Sequence, residues 1–275
     1  MLDRAQWVLA GMSIALSVQL SQPAAAAVRV GKVVQTAQTN SSDAAETALK
    51  EGLQLYQQGT AEALRGGVVK LEKALKLYRQ AGDTRGQAVS LLGLGQIYSD
   101  WGEKQKALEY LSQSLVLFQT VGERGGEAIT LNNIGNVYSE LGEQQKALEY
   151  LGQSLPLSRA TGDRGGEATT LNNIGGVYDE LGEKQKALEY YSQSLPLLRA
   201  IGDRSREATT LNNIGRIYSD LGEQQKALEY YSQSLPLSRA VGDRSGEANT
   251  LNNIGGVYSD LGEKQIGRAS CRERV

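Results

Sequence analysis

Residues 164–203 read RGGEATTLNNIGGVYDELGEKQKALEYYSQSLPLLRAIGD, and residues 204–243 read RSREATTLNNIGRIYSDLGEQQKALEYYSQSLPLSRAVGD. The two align without a gap and share 31 of 40 positions, so one structural unit has been duplicated recently. The same phase holds from residue 84 onward. Leu-Asn-Asn-Ile-Gly recurs at Leu131, Leu171, Leu211 and Leu251, and Lys-Ala-Leu-Glu-Tyr at Lys106, Lys146, Lys186 and Lys226. The 32 glycines fall largely at fixed repeat positions such as Gly135, Gly142 and Gly162, so they punctuate a regular structure instead of marking low complexity.

Within one unit the apolar period is helical. Ala128, Leu131, Ile134, Tyr138 and Leu141 are spaced by three or four and form one stripe, helix A. Gly142 suits the left-handed position that closes a helix. A second stripe, Ala147, Leu151, Leu155 and Ala160, forms helix B, which stops at Gly162; Asp163 then caps the next helix, with Glu167 in its first turn. Two helices of about 16 residues, each roughly 24 Å long, and two tight turns account for the repeat. The spacing predicts pairs near 86–100/104–121, 126–141/144–161, 166–181/184–201 and 206–221/224–241. Such pairs bury their stripes only by stacking on neighbours, which predicts an all-α, right-handed solenoid.

The array spans residues 44–265: a divergent cap (44–83), full repeats 84–123, 124–163, 164–203 and 204–243, and a partial repeat 244–265. Proline interrupts helix B at Pro156, Pro196 and Pro236, where the lost backbone bond costs on the order of 3 kcal/mol unless the helix bends. The bend either shapes the solenoid or acts as a hinge.

Gly135, Tyr138, Leu141-Gly142 and Ala147 at these spacings resemble the tetratricopeptide repeat. The 40-residue period and Gly-Asp-Arg junctions are similar to the long-helix variety of kinesin light chains and the LGN/Rapsyn adaptors. The wording from Leu-Asn-Asn-Ile-Gly to Ser-Leu-Pro-Leu is similar to bacterial arrays that precede a caspase-like CHAT peptidase domain. Serine replaces the usual small residue in mid helix B at Ser154, Ser194 and Ser234.

This resemblance implies a protein-protein interaction scaffold that binds an extended peptide or a protein in its concave groove. The second face of helix A would be the concave wall, with Asn133, Asn173, Asn213 and Asn253 as an asparagine ladder on the backbone of the peptide. Asparagine is a poor helix former rich in hydrogen-bonding groups, so its recurrence needs a reason; bonding to the adjacent repeat is the other one. The neighbouring column, Gln96, Asn136, Gly176, Arg216 and Gly256, varies while its surroundings do not. Ligand selectivity and exposed drift both explain that. The acidic column Asp100, Glu140, Glu180, Asp220 and Asp260 either favours basic ligands or is a solvated face.

Composition excludes most chemistry. The 275 residues contain no histidine and one cysteine, Cys271, so histidine metal ligands, Cys-His dyads, Ser-His-Asp triads and intrachain disulfides are ruled out. No cofactor, metal site or catalytic constellation is expected, and the protein reads as a non-enzyme. With 29 Lys plus Arg against 31 Asp plus Glu there is no basic footprint for nucleic acid.

Residues 1–27 read as a signal peptide. Arg4 precedes an apolar run from Trp7 to Leu20, and Ala24 and Ala26 offer a cleavage site. The run is shorter than the roughly 20 residues of a spanning helix. Export to a bacterial periplasm or the medium is expected, with no membrane span after signal removal; an uncleaved amphipathic helix is the other reading. Residues 28–43 are expected to be a flexible linker. The repeat is lost after Gln265, and residues 266–275 read as translated vector or adaptor sequence or as a true terminus. The alternative function is the regulatory array of a longer protein with a CHAT-type peptidase domain. The partial repeat leaves Leu251, Ile254, Tyr258 and Leu261 without a helix B, an open end suited to self-association.

Overall fold

Asp83, Asp163 and Asp243 each start a helix A by accepting, through the carboxylate, the amide hydrogen three residues on, at 2.9 Å. The helices that end before residue 243 are each followed by a glycine. From Gly82 to Gly242, glycines 20 residues apart have φ between 68 and 79°, a region other residues reach only at a cost. At helix B ends the reversal is fixed by paired bonds, as in Gly162 N–H to Arg159 C=O and Asp163 N–H to Ser158 C=O. These signals are local, each lying within about one turn of the chain, and they recur with the period of the repeat.

The computed structural model describes the backbone of residues 27–272 and the side chains of residues 42–262. Among the described residues all regular structure is helical: α1 (Ala27–Gln58), α2 (Ala61–Ala81), α3 (Thr84–Asp100), α4 (Lys104–Val121), α5 (Arg124–Glu140), α6 (Gln144–Thr161), α7 (Arg164–Glu180), α8 (Lys184–Ile201), α9 (Arg204–Asp220), α10 (Gln224–Ala240) and α11 (Arg244–Arg272). The odd-numbered helices from α3 are helix A and the even ones from α4 helix B, within two residues of the expected boundaries. Pro156, Pro196 and Pro236 lie inside α6, α8 and α10, which remain helical across them. No described helix is long and apolar enough to cross a membrane.

The chain divides within α5 into two units, Met1–Val137 and Tyr138–Val275. In the first, α1 to α4 enclose Leu49, Leu71, Leu91, Leu94 and Ile97. In the second, Ala187, Tyr191, Leu195, Leu211, Ile214 and Ile217 form one cluster, and Ala227, Tyr231 and Val257 another. The expected stripe is buried at Ala128, Leu131 and Ile134, whereas Leu141, just past the end of α5, is 37% exposed.

Helix B approaches its own helix A over a glycine. A Cβ on Gly95 would stand 2.6 Å from Leu111, on Gly175 2.9 Å from Tyr191, and on Gly215 2.6 Å from Tyr231. Tyr178 stacks on Tyr190 and Tyr218 on Tyr230, each with centroids 5.4 Å apart, and Lys186 and Lys226 lie about 5 Å over the first ring of each pair.

One expectation fails. The linker over 28–43 is instead part of α1. That stretch has no proline, Gly31 costs about 1 kcal/mol, and its Ser, Thr and Asn are weak helix formers without being breakers; Ala45, Ala48 and Leu49 then anchor the helix in the core. The left-handed turn found at Gly102, Gly142, Gly182 and Gly222 does not form at Gly262, and α11 runs through it into the expected tail. A left-handed turn is retained where a packed helix B offsets the loss of helical bonds, and here the repeat sequence of helix B is lost. Residues 1–26, nearly all of the expected signal peptide, lie outside the described residues.

Leu251 is 44% exposed where Leu131, Leu171 and Leu211 are 1% exposed. The lost burial is worth about 2 kcal/mol, so amides of residues 246–262 should exchange with solvent roughly tenfold or more faster than those of 166–181. Equal protection in hydrogen-exchange mass spectrometry would contradict this.

Candidate interaction surface

The four asparagines of the expected ladder occupy equivalent places on helix A, all half-buried. Their amides differ in what they meet. Asn253 Nδ2 donates to Asn212 Oδ1 on the preceding helix A at 3.1 Å. Asn213 hydrogen-bonds the Tyr191 side chain on the preceding helix B. Asn173 and Asn136 also interact within the fold. Asn133 has a buried Nδ2 with no hydrogen-bond partner. Inter-repeat bonding therefore occupies part of the column, and Asn133 keeps an unused donor.

The variable column is not a row of free side chains. The Arg216 guanidinium on α9 pairs with the Asp179 carboxylate on α7, which is only 7% exposed. Lys184 Nζ at the start of α8 holds Asp179 at 2.7 Å and Asp220 at 2.8 Å. Burial opposes the Lys184 charge, but the two carboxylates outweigh it and its pKa is raised. Tyr191, buried and close to Asp179, is pushed well above the usual tyrosine range. Arg216 thus closes a four-residue ionic network between repeats, a role its position in a variable column did not reveal.

The acidic column is similarly engaged. Gln144 donates to Glu180 at 2.6 Å, and Gln224 to Asp260 at 3.2 Å, as Lys184 does to Asp220. In each case the first residue of a helix B reaches the acidic position of the next helix A, 36 residues on. Ser139 adds a bond to Glu180 at 3.2 Å, and in the first unit Tyr56 donates to Asp100 at 2.9 Å. Glu140 is exposed and interacts within the fold. Between α9, α10 and α11 the structure brings Arg216, Asp220, Asn253 and Asp260 around one recess of about 210 Å³. Among the described residues no group of three His, Cys, Asp or Glu is arranged to hold a metal.

The tetratricopeptide repeat model matches residues 105–160, 126–200, 166–240 and 206–265, and a second tetratricopeptide repeat model matches 88–117. The chain belongs to the tetratricopeptide repeat family. No curated protein sequence matches it. Similar solved structures include aspartyl phosphate phosphatase F from Bacillus subtilis (15% identity, 89% of this chain and 67% of that one, TM-score 0.65). A Rap protein complexed with competence and sporulation factor shares 16% identity over 80% of this chain and 64% of its own, TM-score 0.66. BtubC from P. vanneervenii shares 19% over 75% of this chain and 92% of its own, TM-score 0.57. These likenesses concern the fold.

Two further columns of the tetratricopeptide repeats make bonds that the sequence reading does not foresee. Asn172 Nδ2 donates to Thr210 Oγ1 at 2.8 Å, and Thr250 Oγ1 to Asn212 Oδ1 at 3.3 Å, so the first asparagine of Leu-Asn-Asn joins consecutive repeats. Ser114, Ser194 and Ser234, buried in mid helix B, donate to the carbonyls of Ala88, Ala168 and Ala208 on their own helix A. The recurrence of Thr130, Thr170, Thr210 and Thr250 among apolar neighbours was the available signal.

Arg216→Gly should lower stability by about 1–3 kcal/mol, because Asp179 keeps only Lys184 as a cationic partner. Adding Asp179→Ser, the residue found at positions 139 and 219, should recover most of that loss. Thermal melts of the two single variants and the double variant check it; additive losses would show that the pair is not coupled.

Proposed function

We propose that this protein is an exported scaffold that takes an extended peptide or a protein partner along the helix A face of its repeats. Tetratricopeptide repeat arrays are in general non-catalytic interaction scaffolds, and membership of that family supports the coarser part of this reading. The groove-binding part rests on one observation, the Asn133 Nδ2, which has no hydrogen-bond partner in the fold. A primary amide offers two donors and an acceptor with two lone pairs. One inter-repeat bond at Asn213 or Asn253 orients the group and leaves capacity for a ligand backbone, so packing and binding are compatible in the same column. Asn136 and Arg216 beside it, and Glu140 and Glu180 at the helix ends, would meet the ligand side chains.

Asn133→Ala removes no hydrogen bond from the fold, so the melting temperature should stay within about 1 °C while affinity for peptides selected from a display library falls by about 1 kcal/mol, roughly fivefold. Asn253→Ala should lower both, since its bond to Asn212 goes too. Selected peptides that bind Asn133→Ala and Asn173→Ala as tightly as the parent would end the ladder reading.

Export is tested separately. Residues 1–27 fused to alkaline phosphatase, which folds to an active enzyme only outside the reducing cytoplasm, should give periplasmic activity in a bacterial host. Activity confined to the cytoplasmic fraction, or none, would remove export from the reading.

A further inference from the structure

The junction between α9 and α11 is built differently from the one before it. Between α7 and α9, position 216 is arginine, and its guanidinium lies on the Asp179 carboxylate with Asp220 3.9 Å away. Between α9 and α11 the same column holds Gly256, and Ser219 stands in the place of Asp179. Among the described residues nothing lies within 4 Å of a Cβ on Gly256, which forms part of the wall of the recess of about 210 Å³. Helix α11 lines this recess with the side on which Asn253 bonds to Asn212 of α9 and Asp260 to Gln224 of α10, so the site belongs to a junction between two stacked repeats.

Tyr231 is only 1% exposed, and its side chain reaches the wall of this recess. One repeat earlier the Tyr191 side chain is met by Asn213, but Asn253 is bonded to Asn212 instead, and among the described residues the Tyr231 hydroxyl makes no hydrogen bond. Buried polar atoms are normally satisfied, so a hydroxyl in this state points to something that enters the recess. Burial pushes the Tyr231 pKa up to about 12, with Arg216 opposing and Asp220 reinforcing the shift, so the phenol stays protonated at neutral pH and its oxygen offers lone pairs to a donor. The surrounding charge has the matching sign. Asp179, Asp220 and Asp260 face two cations, Lys184 and Arg216, both already held by Asp179, which leaves one negative charge over. The volume lies below the roughly 300 Å³ at which sites for drug-sized ligands begin, so it suits the end of one side chain.

We propose that this recess binds a guanidinium group, the end of an arginine side chain on a partner peptide. A planar guanidinium carries five donors in a fixed fork and can meet more than one of the Tyr231 oxygen and the Asp220 and Asp260 carboxylates at once, whereas an ammonium is a compact and strongly hydrated point charge. The fold supplies such a group itself one repeat earlier, through Arg216. Position 256 supplies none, and the one arginine in the wall is committed to Asp179, so the group comes from outside the fold. This rests on the reading of the helix A face as a peptide-binding surface and adds the side chain that one junction selects.

The test selects peptides from a linear display library against the full chain, then titrates the tightest binder and its citrulline form, which keeps the shape of arginine and removes the charge. Arginine should be enriched at one peptide position, and citrulline there should weaken binding about tenfold or more. Tyr231→Phe removes a hydroxyl that the fold does not use, so it should leave the melting temperature unchanged and narrow the difference between arginine and citrulline. Gly256→Arg supplies the guanidinium from inside, at a place where an added Cβ meets no atom, and should abolish the difference. N-acetylarginine amide should compete only at a concentration about a hundredfold above that of the peptide; competition at equal concentration would give the recess to a small guanidinium and overturn the peptide source. Selected peptides that lack arginine, that bind equally well with citrulline, or whose preference is unchanged in both variants overturn the inference while leaving the helix A face as a binding surface. A library that yields no binder overturns both.

Discussion

Helix B can lie against its own helix A because a glycine removes the side chain that would stand between them. Leu111, Tyr191 and Tyr231 fill the space over Gly95, Gly175 and Gly215, where even a methyl group would intrude. Close-packed interiors do not absorb such an intrusion without moving the backbone. The other intra-repeat features follow from this approach. The tyrosine pairs reach stacking distance, lysine settles over their rings, and the mid-helix serine meets an alanine carbonyl. Glycine is a poor helix former at a cost of about 1 kcal/mol per position, and the contacts it admits more than offset that cost.

The polar interior adds direction to this packing. Apolar stripes tolerate sliding, but a hydroxyl or amide buried at a repeat junction needs its partner at hydrogen-bond distance, and stranding it costs about 1–3 kcal/mol. Thr210 under Asn172, Thr250 under Asn212 and Gln224 under Asp260 therefore set how far each repeat advances on the last. The same bonds hold the helix A face rigid. A surface whose amides are already oriented loses less side-chain freedom when it meets a partner.

Helix boundaries, caps and turn glycines were legible in the sequence, since each depends on residues within one turn of the chain. The stripe through Ala128, Leu131 and Ile134 needed only the helical period. The linker was misread at residues 28–43 because weak helix formers were taken for breakers, when a downstream core at Ala45 and Leu49 carries the helix through them. Glu180 and Arg216 were placed on the right helices, but their engagements were invisible. Their partners lie 36 and 37 residues away, at separations fixed by the stacking geometry, which no single repeat encodes. The mid-helix serines are visible in the sequence but their bonds are not, because a small residue there reads as filler until its acceptor is seen.

Near-identity between repeats also raises a question of address. Where apolar surfaces are interchangeable, a helix pair fits any neighbour almost equally well, and the ground state competes with arrangements displaced by one whole unit. The Asp179–Arg216 pair is written once: the positions equivalent to Asp179 hold Ser139 and Ser219, and those equivalent to Arg216 hold Asn136, Gly176 and Gly256. A displaced docking that set α11 against α7 would face the Asp179 carboxylate with Gly256 and leave it a charge short. One ion pair on a buried carboxylate thus acts as a serial number in an otherwise repetitive text, telling the third full repeat which unit comes next.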